Sequence, residues 1–178
     1  MSKQQGLVIV FTGDGKGKTS AALGMALRAA GHGMRISMVQ FIKNRSDTGE
    51  AMAADLLKPA FELVTMGKGF ITGMQGAPAF PEHLQAAQHA LDLARQRSTS
   101  GYWDVLVLDE INNAITLGLV DIGDVLSLIR CRSPKLHIVL TGRDAHRDLI
   151  AVADMVTEMR NLKHPYEHGI PAIKGIDF

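Results

Sequence analysis

The stretch Thr12-Gly13-Asp14-Gly15-Lys16-Gly17-Lys18-Thr19 constrains this chain more than any other. It follows an apolar run, Leu7-Val8-Ile9-Val10-Phe11, and opens a helix-like run, Ser20-Ala21-Ala22-Leu23-Gly24-Met25-Ala26-Leu27. A strand, a glycine-rich turn and then Gly-Lys-Thr entering a helix is an arrangement that cradles phosphate. The glycines let backbone N–H groups turn inward, and the helix N-terminus adds partial positive charge. Lys18 is placed to reach the outer phosphates, and the Thr19 hydroxyl to ligate magnesium. The usual spacing has glycine where this chain has Thr12, with Gly13 one step later. Within the loop, Lys16 reads either as a second phosphate-facing cation or as a solvated lysine, and Asp14 as a carboxylate turned outward or toward a metal.

Short apolar runs alternate with helical patterns along the rest of the chain. Strands are expected at 7–12, 35–41, 61–65, 105–109, 136–141 and 155–159, and helices at 18–30, 81–97, 121–131 and 147–153. Several strands are unbroken Val/Ile/Leu runs, the mark of a parallel sheet covered on both faces. Strand–helix alternation then implies βαβ crossovers and a doubly wound α/β fold. Gly31 stands where a terminating glycine belongs and Asp121 where a helix N-cap belongs. The 67–81 stretch, rich in glycine with two prolines, is the one long loop, and long loops in compact domains are usually functional. The tail from Asn161 onward reads as an ordered surface wrap.

The run Val105-Leu106-Val107-Leu108 ends in Asp109 and Glu110. In a parallel sheet the C-terminal strand ends line the ligand crevice, so this pair is expected beside the glycine turn. Magnesium takes oxygen ligands, typically one or two carboxylates with phosphates and waters, and Asp109 or Glu110 with Thr19 supplies that set. Arg143, in Leu140-Thr141-Gly142-Arg143-Asp144, ends another apolar strand at the same sheet edge. It reads as a planar fork for phosphate, the competing role being an ion pair with Asp144 or Asp148. His83 and His89 read as solvated helix residues, and His32 as a helix-end residue. Pro165 between His164 and His168 argues against a helical metal pair.

Length and composition narrow the classes. The 178 residues suggest one domain spanning 1–178. A net charge of +1 gives no argument for nucleic acid or an anionic membrane. Cys131 stands alone, which excludes an internal disulfide, fits a reducing compartment and reads as a small buried helix residue. No signal-like stretch opens the chain and no run reaches the length of a membrane span, so a soluble cytoplasmic protein is expected.

The residues thus describe a magnesium–nucleotide site without stating the fate of the nucleotide. At this point the chain resembles the ATP:corrinoid adenosyltransferases whose phosphate loop reads Thr-Gly-Asn/Asp-Gly-Lys-Gly-Lys-Thr. Matching segments are 11–19, Arg28-Ala29-Ala30-Gly31-His32-Gly33, Val39-Gln40-Phe41-Ile42-Lys43, Gly49-Glu50, Gly69-Phe70, Leu108-Asp109-Glu110, Leu140-Thr141-Gly142-Arg143, Leu162-Lys163-His164-Pro165, Gly169-Ile170 and Lys174-Gly175-Ile176-Asp177-Phe178. The displaced first glycine is itself family-like.

The resemblance implies a three-layer P-loop (RecA-like) α/β fold with a mainly parallel sheet of about six strands. It implies transfer of the 5′-deoxyadenosyl group of ATP to Co(I) of a reduced corrinoid, with triphosphate leaving, in adenosylcobalamin biosynthesis or salvage. The nucleotide would be held by Thr12, Gly13, Asp14, Gly15, Lys16, Gly17, Lys18, Thr19 and Ser20, in the reverse of the usual sense so that the ribose 5′ carbon is exposed. Lys18, Arg143 and Glu110 would be catalytic, and Thr19, Asp109 and Glu110 would hold Mg2+ or Mn2+. Phe70 would help strip the lower axial ligand of cobalt; where some relatives carry a second aromatic two positions on, this chain has Thr72. His164 matches a position near the corrinoid. An electron donor that reduces cobalt and a homodimeric state are further implications, while neither nucleic acid nor membrane is an expected partner. Two other readings stand beside this one: a nucleotide kinase or ATPase with Glu110 orienting water, and a nucleotide-gated corrinoid carrier.

Overall fold

The computed structural model describes residues 5–44, 48–69 and 80–177. Six strands form one sheet: β1 (Val8–Thr12), β2 (Ile36–Gln40), β3 (Phe61–Thr65), β4 (Val105–Asp109), β5 (His137–Thr141) and β6 (Met155–Glu158). Their order is β3-β2-β4-β5-β1-β6, and every pairing is parallel. The connecting helices are α1 (Lys18–Gly31), α2 (Gly49–Leu56), α3 (Phe80–Thr99), α4 (Ile111–Thr116), α5 (Ile122–Cys131) and α6 (Arg147–Val152), followed by a 3-10 turn at Pro165–His168.

The four inner strands are apolar on both faces because both faces are covered. On one face Ile9, Phe11, Met38, Val107 and Val139 pack against Ala22 and Ala26 of α1 and Ala54 of α2. On the other, Val8, Val10, Leu106, Leu108, Ile138 and Leu140 pack against Ala87, Ala90, Leu91 and Ala94 of α3, Val125 and Leu128 of α5, Ile111 of α4 and Leu149 of α6. Neighbouring strand residues therefore belong to opposite cores, as the two-residue period of a strand dictates. Alanine at the buried positions of α1 and α3 removes bulk between each helix and the sheet. The expected strands all appear, with ends shifted by one residue or so.

Four expectations are corrected. Helix α1 ends one residue later than expected, and its left-handed terminator is Gly33 (φ 74°), not Gly31. The Gly33 N–H donates to the Ala30 carbonyl at 2.9 Å and the Met34 N–H to the Ala29 carbonyl at 3.1 Å, the paired closing bonds of a Schellman end. Cys131 is exposed, since it is the last residue of α5 and has turned off the buried face. Pro165 opens a 3-10 turn that includes His168, because proline tolerates the first helical position. Helices α2 and α4 carry no strong apolar period and were not expected. Asp121 does cap α5, its carboxylate accepting the Gly123 N–H at 2.7 Å. The expected 67–81 loop falls mostly on residues outside those described, as do Phe70 and Thr72.

Replacing Leu106, fully buried between strands and α3, with alanine should lower stability by about 2–5 kcal/mol in urea unfolding. Replacing Leu56, exposed at the end of α2, with glutamine should change it by less than about 0.5 kcal/mol.

Candidate functional site

The turn between β1 and α1 is shaped by what packs over it. Gly13 and Gly17 lie in the left-handed region (φ 94° and 112°). A Cβ on Gly13 would come within 2.4 Å of the Met159 carbonyl oxygen, and one on Gly15 within 2.7 Å of Arg160 backbone atoms. The segment leaving β6 thus presses on the loop, and only glycine fits beneath it. The Gly15 N–H is already used, donating to the Met159 carbonyl at 2.7 Å. Thr12 is buried and its hydroxyl accepts the Ala145 N–H at 3.1 Å. Helix α1 has no side-chain cap, so its first amides open toward a cleft, as an anion-binding helix start requires.

That cleft encloses about 700 Å3. Lys16, Gly17, Lys18, Thr19 and Ser20 form its floor, and Glu110, Asn113, Gly142 and Arg143 one side. Lys43, Glu50 and Ala53 form the facing side, and His164 and Asp177 of the tail lie over it. Of the residues expected at the site, Thr12, Gly13, Asp14, Gly15 and Asp109 do not line it. Asp14 is exposed, and Asp109 lies behind the wall.

Asp109 has a fully buried side chain and is saturated with donors. Its Oδ1 accepts the hydroxyls of Thr19 (2.8 Å) and Thr141 (2.7 Å), and its Oδ2 the amide of Gln40 (3.1 Å). The sheet register explains the meeting: Gln40 sits opposite Asp109, and Thr141 lies one step beyond the Leu108–Leu140 pair. The Lys43 ammonium stands 3.6 Å from Asp109 and 3.0 Å from Glu50. Burial works against the charge on Lys43, but Asp109 and Glu50 outweigh it and raise its pKa above the ordinary lysine value. Burial likewise opposes the charge on Glu50, and its own backbone N–H and Lys43 outweigh that, so its pKa falls.

Glu110 is built differently. It occupies the left-handed region (φ 63°) at the junction of β4 and α4, where its N–H donates to the Thr141 hydroxyl at 2.9 Å. Its Oε2 is buried with no hydrogen-bond partner among the described residues. Burial, then the neighbouring charge of Asp109, pushes its pKa up to about 7.

The two lysines of the glycine loop are held by internal acceptors. Lys18 Nζ donates to the carbonyls of Gly13 (2.5 Å) and Gly15 (2.7 Å), and burial followed by the nearby Arg143 lowers its pKa. Lys16 pairs with Asp177. Arg143 makes no ion pair with Asp144 or Asp148 among the described residues. Its backbone N–H donates to Asn113 Oδ1 at 3.0 Å, beside Gly142 (φ 131°), where a Cβ would strike Asn113. His164 caps the 3-10 turn by accepting the Tyr166 N–H at 3.1 Å.

Sequence reasoning gave no role to Gln40, Lys43, Glu50, Asn113 or Thr141. Gln40 and Thr141 were legible as strand-end polar residues level with Asp109; Glu50 was not, because α2 went unseen. Among the described residues, no group of three or more His, Cys, Asp or Glu side chains has metal-binding geometry.

A parallel α/β sheet with one strand between the glycine-loop strand and the acidic strand, and a loop-bound lysine at the start of α1, defines a P-loop NTPase-like fold. The flagellar accessory protein FlaH of Methanocaldococcus jannaschii shares that fold, with a TM-score of 0.57 at 14% identity, over 87% of this chain and 71% of that one. Within that class the chain belongs to the ATP:corrinoid adenosyltransferase BtuR/CobO/CobP family, whose model matches residues 4–178. A corrinoid adenosyltransferase of a Sinorhizobium species is 38% identical over 180 residues, covering 98% of this chain and 81% of the relative. One from Pseudomonas aeruginosa is 38% identical over 175 residues, covering 98% and 85%.

A carboxyl whose folded pKa is raised stabilises the fold below its unfolded pKa, and that contribution disappears as pH rises through the folded value. For Glu110 the window runs from the ordinary glutamate value of 4.5 to about 7. Thermal midpoints of the protein and of Glu110→Gln, measured without ligand, should therefore diverge in favour of Gln as pH rises across that range, while the gap stays level above about pH 8.

Proposed function

We propose that this chain transfers the 5′-deoxyadenosyl group of ATP to the cobalt of a reduced corrinoid. One observation carries the reading: in a chain matched along 4–178 by that family, the start of α1, Lys18, Arg143 and Glu110 all line one cleft. Co(I), as substrate, attacks the ribose 5′ carbon with its electron pair. The carbon–oxygen bond to the α-phosphate breaks, and that pair leaves on the triphosphate. No protein base is needed, because no proton moves in this step. What the chain must do is hold the polyphosphate and meet the charge that grows on it.

The open amides of α1 and Ser20 face the phosphates. Lys18 exchanges the Gly13 and Gly15 carbonyls for phosphate oxygens, and Arg143 closes from the β5 end. Lys16 adds a second loop cation once it leaves Asp177. Thr12, Gly13, Asp14 and Gly15 act by shaping the loop, and His164 borders the corrinoid side. Thr19 and Glu110 are the residues that fit Mg2+. The Thr19 hydroxyl donates its hydrogen bond to Asp109 and keeps lone pairs for a hard cation, and the buried Oε2 of Glu110 has no partner among the described residues. Asp109 serves from behind, orienting Thr19. When bound, Mg2+ would supply charge stabilisation to the leaving polyphosphate. Mn2+ is compatible with the same oxygen set. The electron donor that makes Co(I), a homodimeric state, a cytoplasmic location and a single domain over 1–178 complete the proposal.

The assay mixes protein, Mg-ATP, a strong chemical reductant and a cobalamin, follows the corrinoid spectrum and identifies the released phosphate species. Adenosylcorrinoid together with triphosphate is the expected result; ADP and phosphate, or corrinoid binding without a cobalt–carbon bond, would overturn it. Lys18→Ala should keep its circular dichroism spectrum and lose at least about 100-fold in turnover. Retained activity would remove Lys18 from the phosphate site.

A further inference from the structure

Gly24 lies inside α1, one turn beyond Ser20 and so about 6 Å further along the helix axis. Glycine in a helix interior is destabilising relative to alanine, because it loses more freedom on folding and offers no side chain. Inside proteins such a glycine usually makes room for a neighbouring element. Among the described residues there is none: a Cβ built on Gly24 meets nothing within 4 Å. Nor does the backbone need it, since Gly24 is absent from the positions with positive φ.

What Gly24 does face is the cleft. It lines the same open cleft as Lys18, Thr19 and Ser20, together with Leu23 and Leu27 on α1 and Ala53 and Leu57 from α2 and its C-terminal end. Leu27 is 61% exposed and Leu23 half-buried, so among the described residues this stretch of α1 carries an apolar strip that no other element fully covers. The strip continues from the phosphate turn without a break, and one ligand molecule entering the turn must extend along one of the cleft's walls. A cleft of about 700 Å3 suits a nucleotide better than a whole corrinoid, whose macrocycle and side arms are far bulkier.

We infer that Gly24 is a nucleotide-contact position, at which the absent side chain lets bound ATP lie against the backbone of α1. The inference rests on the ATP-binding reading above and names a specificity-determining residue outside the phosphate loop. It requires two effects of opposite sign from one substitution: a gain for the empty protein and a loss for the occupied one.

The experiment compares the protein with Gly24→Ala and Gly24→Leu, measuring ligand-free thermal unfolding and calorimetric binding of Mg-ATP, inorganic triphosphate and a cobalamin. Gly24→Ala should raise the ligand-free Tm by about 2 °C. Gly24→Leu should weaken ATP binding on the order of tenfold. Triphosphate binding then tells which end of the nucleotide lies there: a parallel loss places the phosphates on Gly24, an unchanged value the nucleoside, and either supports the inference. Unchanged ATP affinity in Gly24→Leu overturns it, including where only cobalamin binding or oligomeric mass changes. If Gly24→Leu fails to fold, Gly24→Ala decides, a higher Tm with unaltered ATP affinity overturning the inference. Failure of the unsubstituted protein to bind Mg-ATP would instead end the functional reading, and this inference with it.

Discussion

The carboxylate of Asp109 is the point on which the site turns. It is fully buried, and a buried charge is tolerable only where hydrogen bonds and opposite charge replace water. Here the donors come from three other elements: Thr19 on α1, Thr141 on β5 and Gln40 on β2. One group therefore fixes the start of the P-loop helix against two neighbouring strand ends. Gln40 passes the connection on to Thr65 of the edge strand at 3.0 Å, and Lys43 to Glu50 of α2 at 3.0 Å. Losing Asp109 would leave several donors unsatisfied at once, which is why its role is architectural before it is chemical.

The charges around this point are arranged in two tiers. Asp109, out of the cleft, is matched by the cleft-lining Lys43 and by neutral donors. Glu110 lines the cleft, with one buried oxygen unpartnered among the described residues, and Lys18 is turned onto carbonyls of its own loop. Adjacent residues of one strand end thus have opposite fates, because Asp109 points into the sheet edge while the left-handed turn at Glu110 redirects its side chain. Most of the work of charge placement is done by backbone direction.

Much of this was legible in the sequence, for physical reasons. Unbroken Val/Ile/Leu runs have one stable setting, a parallel sheet covered on both faces, and the glycine turn between such a strand and a helix has one common use. What stayed hidden depends on tertiary register. Glu50 matters because α2, an eight-residue helix with a weak apolar period, sets it beside Lys43. The terminating role of Gly33 in place of Gly31 was a matter of two residues, which pattern alone does not resolve. Helix α4 begins with no capping side chain, directly from a strained Glu110, and so carries no start signal. Among the described residues, the ion pair of Lys16 with Asp177 ties the tail to the glycine loop across most of the chain length.

The backbone strain at Glu110 has a further consequence. A left-handed setting suits glycine and penalises any residue that carries a Cβ, and burying a carboxyl oxygen without a partner among the described residues adds to that penalty. The junction of β4 and α4 is therefore a place where the molecule is less robust than its own framework would allow. Selection for heat tolerance alone would erode the acid there first, so a descendant that had lost its chemistry should show the change at this junction while the surrounding sheet stayed intact.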